Sequence, residues 1–370
     1  MTAQIKNNGG SQLDFVLGGI VVATVDETGI KKGVSVAPSL NGVPLFHHNE
    51  IVNGDFRIAQ IGTSFAAPVD GAYDLDGWNN GKSSAAVFTV AQVAGSTAGR
   101  LARQVTITTA DTVVAAGDLV LDITKIEGSN IEKYVGNTFT VAFRAKVPVA
   151  GIHCVALRNS AANRSYVKEI NFPTANTWQD CSFTVAGGLP TAGTWNYTNG
   201  IGLEIDFSHM CGTTYQTTPD AWNTGNFLGT ANQVNDCATV GNVWALEKVT
   251  MNLGTVAAVS EISYEQELSR CHRYARPLPN RFVAQALSAS AAAGTTYGQP
   301  MRATPILSTT AGWSMLNASS TYNAATNPGS AIIADASGAV FIEVQGGSGL
   351  AGGNATLIRT PDGGLLLARL

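Results

Sequence analysis

Apolar and polar residues alternate with a period of two along much of this 370-residue chain. Phe139, Val141, Phe143, Ala145 and Val147 are separated by Thr140, Arg144 and Lys146, after a Gly136-Asn137 turn. Successive side chains of a strand point to opposite faces, so this stretch predicts a strand with one buried face. Leu203, Ile205 and Phe207 alternate with Glu204 and Asp206 in the same way, and Cys181, Phe183 and Val185 with Asp180, Ser182 and Thr184. Leu119, Leu121 and Ile123 mark a fourth strand. Val243, Ala245, Glu247, Val249 and Met251 form one face of a late strand, with Trp244 and Leu246 on the other. Many short strands with turn-rich joints and almost no helical period predict an all-β chain built around a jelly-roll β-sandwich. No fixed repeat runs through it, which argues against a β-solenoid.

The pattern divides the chain. Residues 1–50 hold Leu13, Phe15 and Leu17 and then Val21 to Val25, closed by the turn Asp26-Glu27-Thr28-Gly29. A piece this short cannot bury a core of its own, so it is expected to be an oligomerisation or attachment segment. Residues 51–262 carry the sandwich. Residues 263–280 form a helical joint: Ser263 can cap, Gln266 stands three later, Leu268, Cys271 and Tyr274 follow, and Pro277 and Pro279 end it. Residues 281–370 are a C-terminal β-domain, with the clearest strands at Phe341–Val344 and Thr356–Arg359 and Gly-Gly turns between strands. Its Gly and Ala content lets backbones approach closely, as packing around a trimer axis would require.

Composition narrows the function. Charged residues are 13% of the chain, about half the usual share, and the net charge is −4. No basic stripe is present to hold a phosphate backbone, so nucleic acid is not an expected partner. No run of eighteen apolar residues occurs, so no membrane insertion is expected, and Phe15–Val25 lacks the basic leader of a signal peptide. The five cysteines, at 154, 181, 211, 237 and 271, are odd in number and include no C-x-x-C. They are expected to be small buried hydrophobes rather than disulfides or zinc ligands.

Catalytic patterns are sparse. There is no G-x-S-x-G, H-E-x-x-H or phosphate-loop motif. His47-His48 falls in a linker. His209 has a structural look, and Cys271-His272 are neighbours about 100 degrees apart on a helix, unsuited to a nucleophile pair. Glu204 and Asp206 share a strand face at a spacing compatible with a glycosidase pair. Alternation places acids on solvated strands anyway, so a non-catalytic role is expected. Asn53 and Asp55 around Gly54 admit a structural calcium, held by an amide oxygen and a carboxylate; no other cofactor is implied.

The aromatics are the better lead. Sugar rings offer apolar C–H faces to aromatic planes, and their hydroxyls need amide and carboxylate partners in a concave site. Thr194-Trp195-Asn196-Tyr197 and Tyr215…Asp220-Ala221-Trp222-Asn223 supply both kinds of group. Trp195, Asn196, Tyr197, Tyr215, Asp220, Trp222 and Asn223 are therefore the candidate carbohydrate site, formed if two loops meet at one sandwich end. Trp78 and Trp178 suit core plugs better.

A family likeness rests on an ordered set of blocks. Ile51-Val52-Asn53-Gly54-Asp55-Phe56-Arg57-Ile58-Ala59-Gln60 is followed by Tyr73, Asp76 and Trp78, then by Ile126-Glu127-Gly128 and Phe139–Phe143. Leu157-Arg158-Asn159, Thr177-Trp178-Gln179, Gly193-Thr194-Trp195 and Glu267-Leu268-Ser269-Arg270-Cys271-His272-Arg273-Tyr274 come next, and Pro300–Pro305 resembles the start of a terminal β-domain. Over 51–305 the chain resembles bacteriophage tail-fibre and receptor-binding proteins with a carbohydrate-binding-module-like jelly-roll. It departs at Gly77, where arginine is common, and at Ser260–Tyr264. The resemblance implies a virion fibre or spike component made in the bacterial cytoplasm. It further implies a homotrimer, joined to other virion structural proteins through the N-terminal segment and contacting host cell-surface glycan. The rival readings are a structural connector or decoration protein without a ligand, and a polysaccharide-degrading tailspike.

Overall fold

The computed structural model describes residues 49–255, 262–308, 312–316, 338–360 and 364–370 with their side chains, and the backbone of further strands within 3–44 and 322–334. In the N-terminal part, β1 (Ala3–Asn7), β2 (Leu13–Leu17), β3 (Ile20–Asp26) and β4 (Gly29–Lys31) form an antiparallel sheet in sequence order. The expected hairpin is there, with Leu13 opposite Val25 and Asp26 opposite Gly29. A two-stranded pair, β5 (Ser39–Leu40) and β6 (Val43–Pro44), follows.

Twelve strands then build the sandwich: β7 (Ser64–Ala66), β8 (Trp78–Ser83), β9 (Val87–Ala94), β10 (Leu101–Thr109), β11 (Leu119–Glu127), β12 (Phe139–Lys146), β13 (Gly151–Arg158), β14 (Ser165–Phe172), β15 (Gln179–Val185), β16 (Ile201–Cys211), β17 (Trp222–Asn223) and β18 (Val243–Leu253). They pair antiparallel in two six-stranded sheets, in the orders β15-β12-β18-β10-β9-β7 and β17-β14-β13-β16-β11-β8. The chain crosses between sheets repeatedly, which makes this a jelly-roll sandwich and the protein nearly all β. The inner faces carry the alternating residues expected of them: Phe139, Val141 and Phe143 meet Leu203, Ile205 and Phe207 in one core. Phe143 and Phe207 pack edge to face at 5.0 Å. Trp78 is fully buried beside Phe56 and Phe207, while Trp178 is half-buried under the Lys146 ammonium. All five cysteines are free and buried.

One strand departs from strict alternation. Trp244 and Leu246 face the core, and so do Val249 and Met251, which simple alternation puts on the opposite face. The β12–β18 register slips between Ala142–Thr250 and Arg144–Glu247, and Lys248 sits there with φ 56°. One extra residue in the strand resets its faces, as a β-bulge does.

Two of the sequence blocks, 51–60 and 267–274, turn out to be partners. Asn53 takes a left-handed backbone (φ 52°), which asparagine tolerates better than most residues. Its side chain donates to the Ile58 and Asp76 carbonyls and accepts from the Ile58 N–H at 2.9 Å. Its carbonyl receives the Trp78 indole N–H. Gly54 lies so close to β18 that a Cβ would fall 2.1 Å from the Val249 carbonyl oxygen. The helix α1 (Tyr264–His272) opens with the expected capping box between Ser263 and Gln266. It then docks on this loop: Glu267 accepts the Asn53 N–H, Arg270 donates to the Asn49 and Glu50 carbonyls, and Cys271 packs with Val52 and Ile58. Just beyond, Arg273 grips the buried Glu127 carboxylate through two hydrogen bonds.

The C-terminal part folds around Trp313, Met315, Ile342, Val344 and Ile358. It holds the expected strands, observed as Val340–Gln345 and Ala355–Arg359. Part of its small-residue content is used inside the subunit: a Cβ on Gly294 would meet the Val283 carbonyl at 2.5 Å and the Phe282 ring at 2.9 Å. Arg302 joins this part to the sandwich, donating to the Asn199 carbonyl at 2.6 Å, and ties the chain end in by donating to the Ala368 and Arg369 carbonyls at 3.0 and 2.6 Å.

Candidate carbohydrate-binding site

β15 and β17 are the edges of the two sheets on the same side of the sandwich, and the gap between them needs closing. The loop 186–200 crosses it with Trp195, and β17 brings Trp222, whose partner across the ladder is Tyr166. The two indoles meet edge to face at 5.7 Å, and Tyr166 lies 5.6 Å from Trp222. Each indole N–H is tied down, Trp195 to the Ala192 carbonyl and Trp222 to the Gly188 carbonyl, both at 3.0 Å. Both rings are half-buried against the core, so their planes are held while part of each remains open. Asp220 is exposed next to this pair and holds the Lys168 ammonium at 2.7 Å and the Tyr166 hydroxyl at 3.3 Å. A rigid aromatic corner with an accessible carboxylate and ammonium is a surface on which a sugar ring can stack and hydrogen-bond.

The other expected members divide. Tyr197 is 43% exposed, two residues beyond Trp195. Asn196 is turned inward on its own loop, its amide oxygen accepting from the Thr198 N–H and hydroxyl. The Asn223 amide closes its own loop by donating to the Thr218 and Ala221 carbonyls. Tyr215 does not join the tryptophans. Leaving β16, the chain makes a tight turn at Thr213–Tyr215 that folds under the outer face of the second sheet. Tyr215 packs there with Leu119, Ile152 and Phe227 over Leu121, Ile123, Cys154 and Ala156. Both faces of that sheet are therefore covered locally.

The calcium expectation at Asn53 and Asp55 does not fit the geometry. The Asn53 oxygens are occupied by N–H donors, and Asp55 is paired with Arg57. Among the described residues no cluster of three or more histidine, cysteine or acidic side chains could hold a metal. Glu204 and Asp206 do share a face, but Arg158 bridges them, with its Nε 2.9 Å from Asp206 and a terminal nitrogen 2.6 Å from Glu204. Asp206 is fully buried, and burial, reinforced by the Glu204 charge and opposed by Arg158, pushes its carboxyl up to about 7. A guanidinium between two acids leaves no room for a glycosidic oxygen. His47 and His48 lie outside the described residues.

The sequence did not reveal a buried ionic chain at the far end of the core. Arg103 lies between Asp74 and Asp122, His209 between Asp122 and Asp236, and the Asp236 carboxylate accepts from His153 Nε2 at 3.0 Å. All six side chains are buried. The polar spacing of β10, β11, β13 and β16 places these residues on core-facing positions, a signal that alternation alone reads as an error.

Neither the known protein families nor the curated proteins include a match to this sequence. Among solved structures the chain is similar to the enzymatically active domain of tailspike protein 4 of bacteriophage CBA120, at 16% identity over 56% of this chain and a TM-score of 0.30. It spans about a fifth (21%) of that protein's length. It is also similar to a CBM4 module, at 17% identity over 55% of this chain and 99% of the module, with a TM-score of 0.31. A third is the family 11 carbohydrate-binding module of the Clostridium thermocellum cellulase Lic26A-Cel5E, at 11% identity over 51% of this chain and 95% of the module, TM-score 0.30. The fold assignment rests on the strand pairing described above.

Proposed function

We propose that this chain is a non-catalytic polysaccharide-binding component of a phage fibre or spike, engaging a host cell-surface glycan at the sandwich edge. The observation that carries the binding reading is the Trp195–Trp222 corner. Its rings are partly open, and their N–H groups are already satisfied. They are therefore available for stacking without being free to collapse. The non-catalytic reading is supported by Arg158, which occupies the space between the two best-placed acids. The virion context rests on the ordered sequence blocks of 51–305. In that setting a homotrimer attached through the N-terminal segment would multiply weak sites into useful avidity.

The test is attachment of the purified chain to host cells before and after their surface glycans are stripped. Binding that survives stripping unchanged overturns the glycan reading in favour of a structural connector. Release of soluble oligosaccharide from the same cells overturns the non-catalytic reading.

A further inference from the structure

A cleft of about 490 Å³ opens where three pieces of chain meet: the Asn49–Arg57 segment, the hairpin tip at Thr97–Leu101 and the β18 bulge at Lys248–Thr250. That volume lies within the range of small-ligand sites. It is far from empty of charge, and the charges are unequally committed. Asp55 is paired with Arg57. Glu267 accepts the Asn53 N–H and is held by Arg270 at 3.1 Å. The neighbouring Glu247 is buried against Ser96 and Arg144. Lys248 is different. Its side chain is exposed, and its ammonium has no ion-pair or hydrogen-bond partner among the described residues.

Lys248 also stands at an unfavourable backbone position. Its φ of 56° is the left-handed region that glycine or asparagine occupies at lower cost. A bulge needs an extra residue to return Val249 to the core, but it does not need a lysine. Bulges recur beside functional sites because they re-aim a side chain, and strained positions cluster in the same places. Here the bulge turns an unpaired ammonium outward in a cleft that Arg57, Thr97, Arg100 and Thr250 also line, and whose acids are already neutralised.

Resting on the reading that the sandwich binds polysaccharide, we propose that this cleft is a second subsite. It takes the anionic substituent of an acidic saccharide, a uronate carboxylate or a phosphate, with Lys248 as its charge partner. Selectivity for acidic over neutral glycans then comes from the bulge, and stacking affinity from the aromatic edge.

Calorimetric titration of the full chain with glucuronate, glucose 6-phosphate and glucose, at low and at physiological salt, tests this. At least one acidic sugar is expected to bind, more weakly as salt rises, and more tightly than glucose. A response to glucuronate alone identifies a carboxylate, and to glucose 6-phosphate alone a phosphate. Lys248→Met is expected to weaken the acidic sugar about tenfold, the loss of one charge-assisted contact, and Lys248→Arg to restore most of it. Lys248→Gly is expected to lose binding while raising Tm by about 2–4 °C through relief of the backbone, which excludes misfolding as the cause. Equal binding of glucose and the acidic sugars, or wild-type affinity in Lys248→Met, overturns the proposal. So does the absence of any binding by the acidic sugars. Lys248-dependent binding of the small sugars, with no attachment to host polysaccharide, would instead sink the edge-binding reading and leave the cleft standing.

Discussion

The buried chain of charges makes a pH prediction that can be worked through. His209 is held 3.1 Å from Asp122 and 3.9 Å from Asp236, with Trp244 edge to face at 4.8 Å and Arg103 on the far side of Asp122. Burial by itself lowers its pKa, but the two carboxylates outweigh it and push it up to about 9. A histidine with a raised folded pKa binds its proton more tightly folded than unfolded. Its stabilisation is full below the unfolded value near 6.5 and is lost as pH rises through about 9. Linkage over that shift amounts to about 3 kcal/mol at pH 6.5 and about 1 kcal/mol at pH 8.5. This group alone should therefore cost the sandwich about 2 kcal/mol between those values, or about 4–8 °C in Tm for a domain of this size. Two other groups lose stability in the same window. Burial pushes all five thiols up, Cys154 and Cys181 to about 11 and Cys211 to about 12, so the unfolded chain's thiols, half-ionised near pH 8.5, together take away about 2 kcal/mol by the top of the window. Asp206, raised to about 7, costs stability mainly between about pH 4 and 7 and takes away about 1 kcal/mol more. The assay is thermal unfolding followed by near-ultraviolet circular dichroism, with His209→Gln as reference. The variant should be less stable, and across the window it should lose about 2 kcal/mol less than wild type, the thiol and Asp206 losses being common to both. A wild-type Tm constant within about 2 °C across the window, or an equal slope in the variant, refutes the reasoning.

Other outcomes follow from the geometry. Gly54→Ala drives a methyl into the Val249 carbonyl and should cost about 3 kcal/mol or more, read by denaturant unfolding. Trp222→Ala should abolish host-cell attachment and also cost about 2 kcal/mol, because the ring is half-buried and not fully exposed. Trp222→Phe should recover most of the stability and only part of the attachment, which separates the two effects. Arg302→Ala removes two carbonyl contacts within the C-terminal part and one, to Asn199, that reaches the sandwich. Limited proteolysis should then cut the C-terminal part faster, while the sandwich melts as before. Glu204→Gln should leave cell attachment unchanged, and reducing-end assays on host polysaccharide should show no release by either protein.

Local pattern and tertiary structure contributed differently here. Side-chain alternation is a property of each strand by itself, so β12, β15 and β16 were legible from their own residues, with Phe139, Phe183 and Ile205 correctly placed on the core side. The helix start was equally legible, because the Ser263–Gln266 capping box is closed within four residues. The pairing of edges was not local. Trp195 and Trp222 come together because β15 and β17 end up on one side of the two sheets, whereas Tyr215, seven residues before Trp222, is carried beneath the other face. Nothing within that segment distinguishes the two destinations. The bulge at Lys248 is likewise set across strands: one residue must be absorbed for β18 to match β12, and the face of every later residue depends on it. Asn53 and Asp55 carried oxygens suited to a cation, but those of Asn53 were claimed by donors up to 25 residues away, and Asp55 by Arg57. The acids Asp74 and Asp122 carry no local signal of burial; it is Arg103, brought between them from another strand, that makes it possible. Alternation records which face a residue belongs to. Only closure of the sandwich decides what that face meets, because the partners lie tens to hundreds of residues apart.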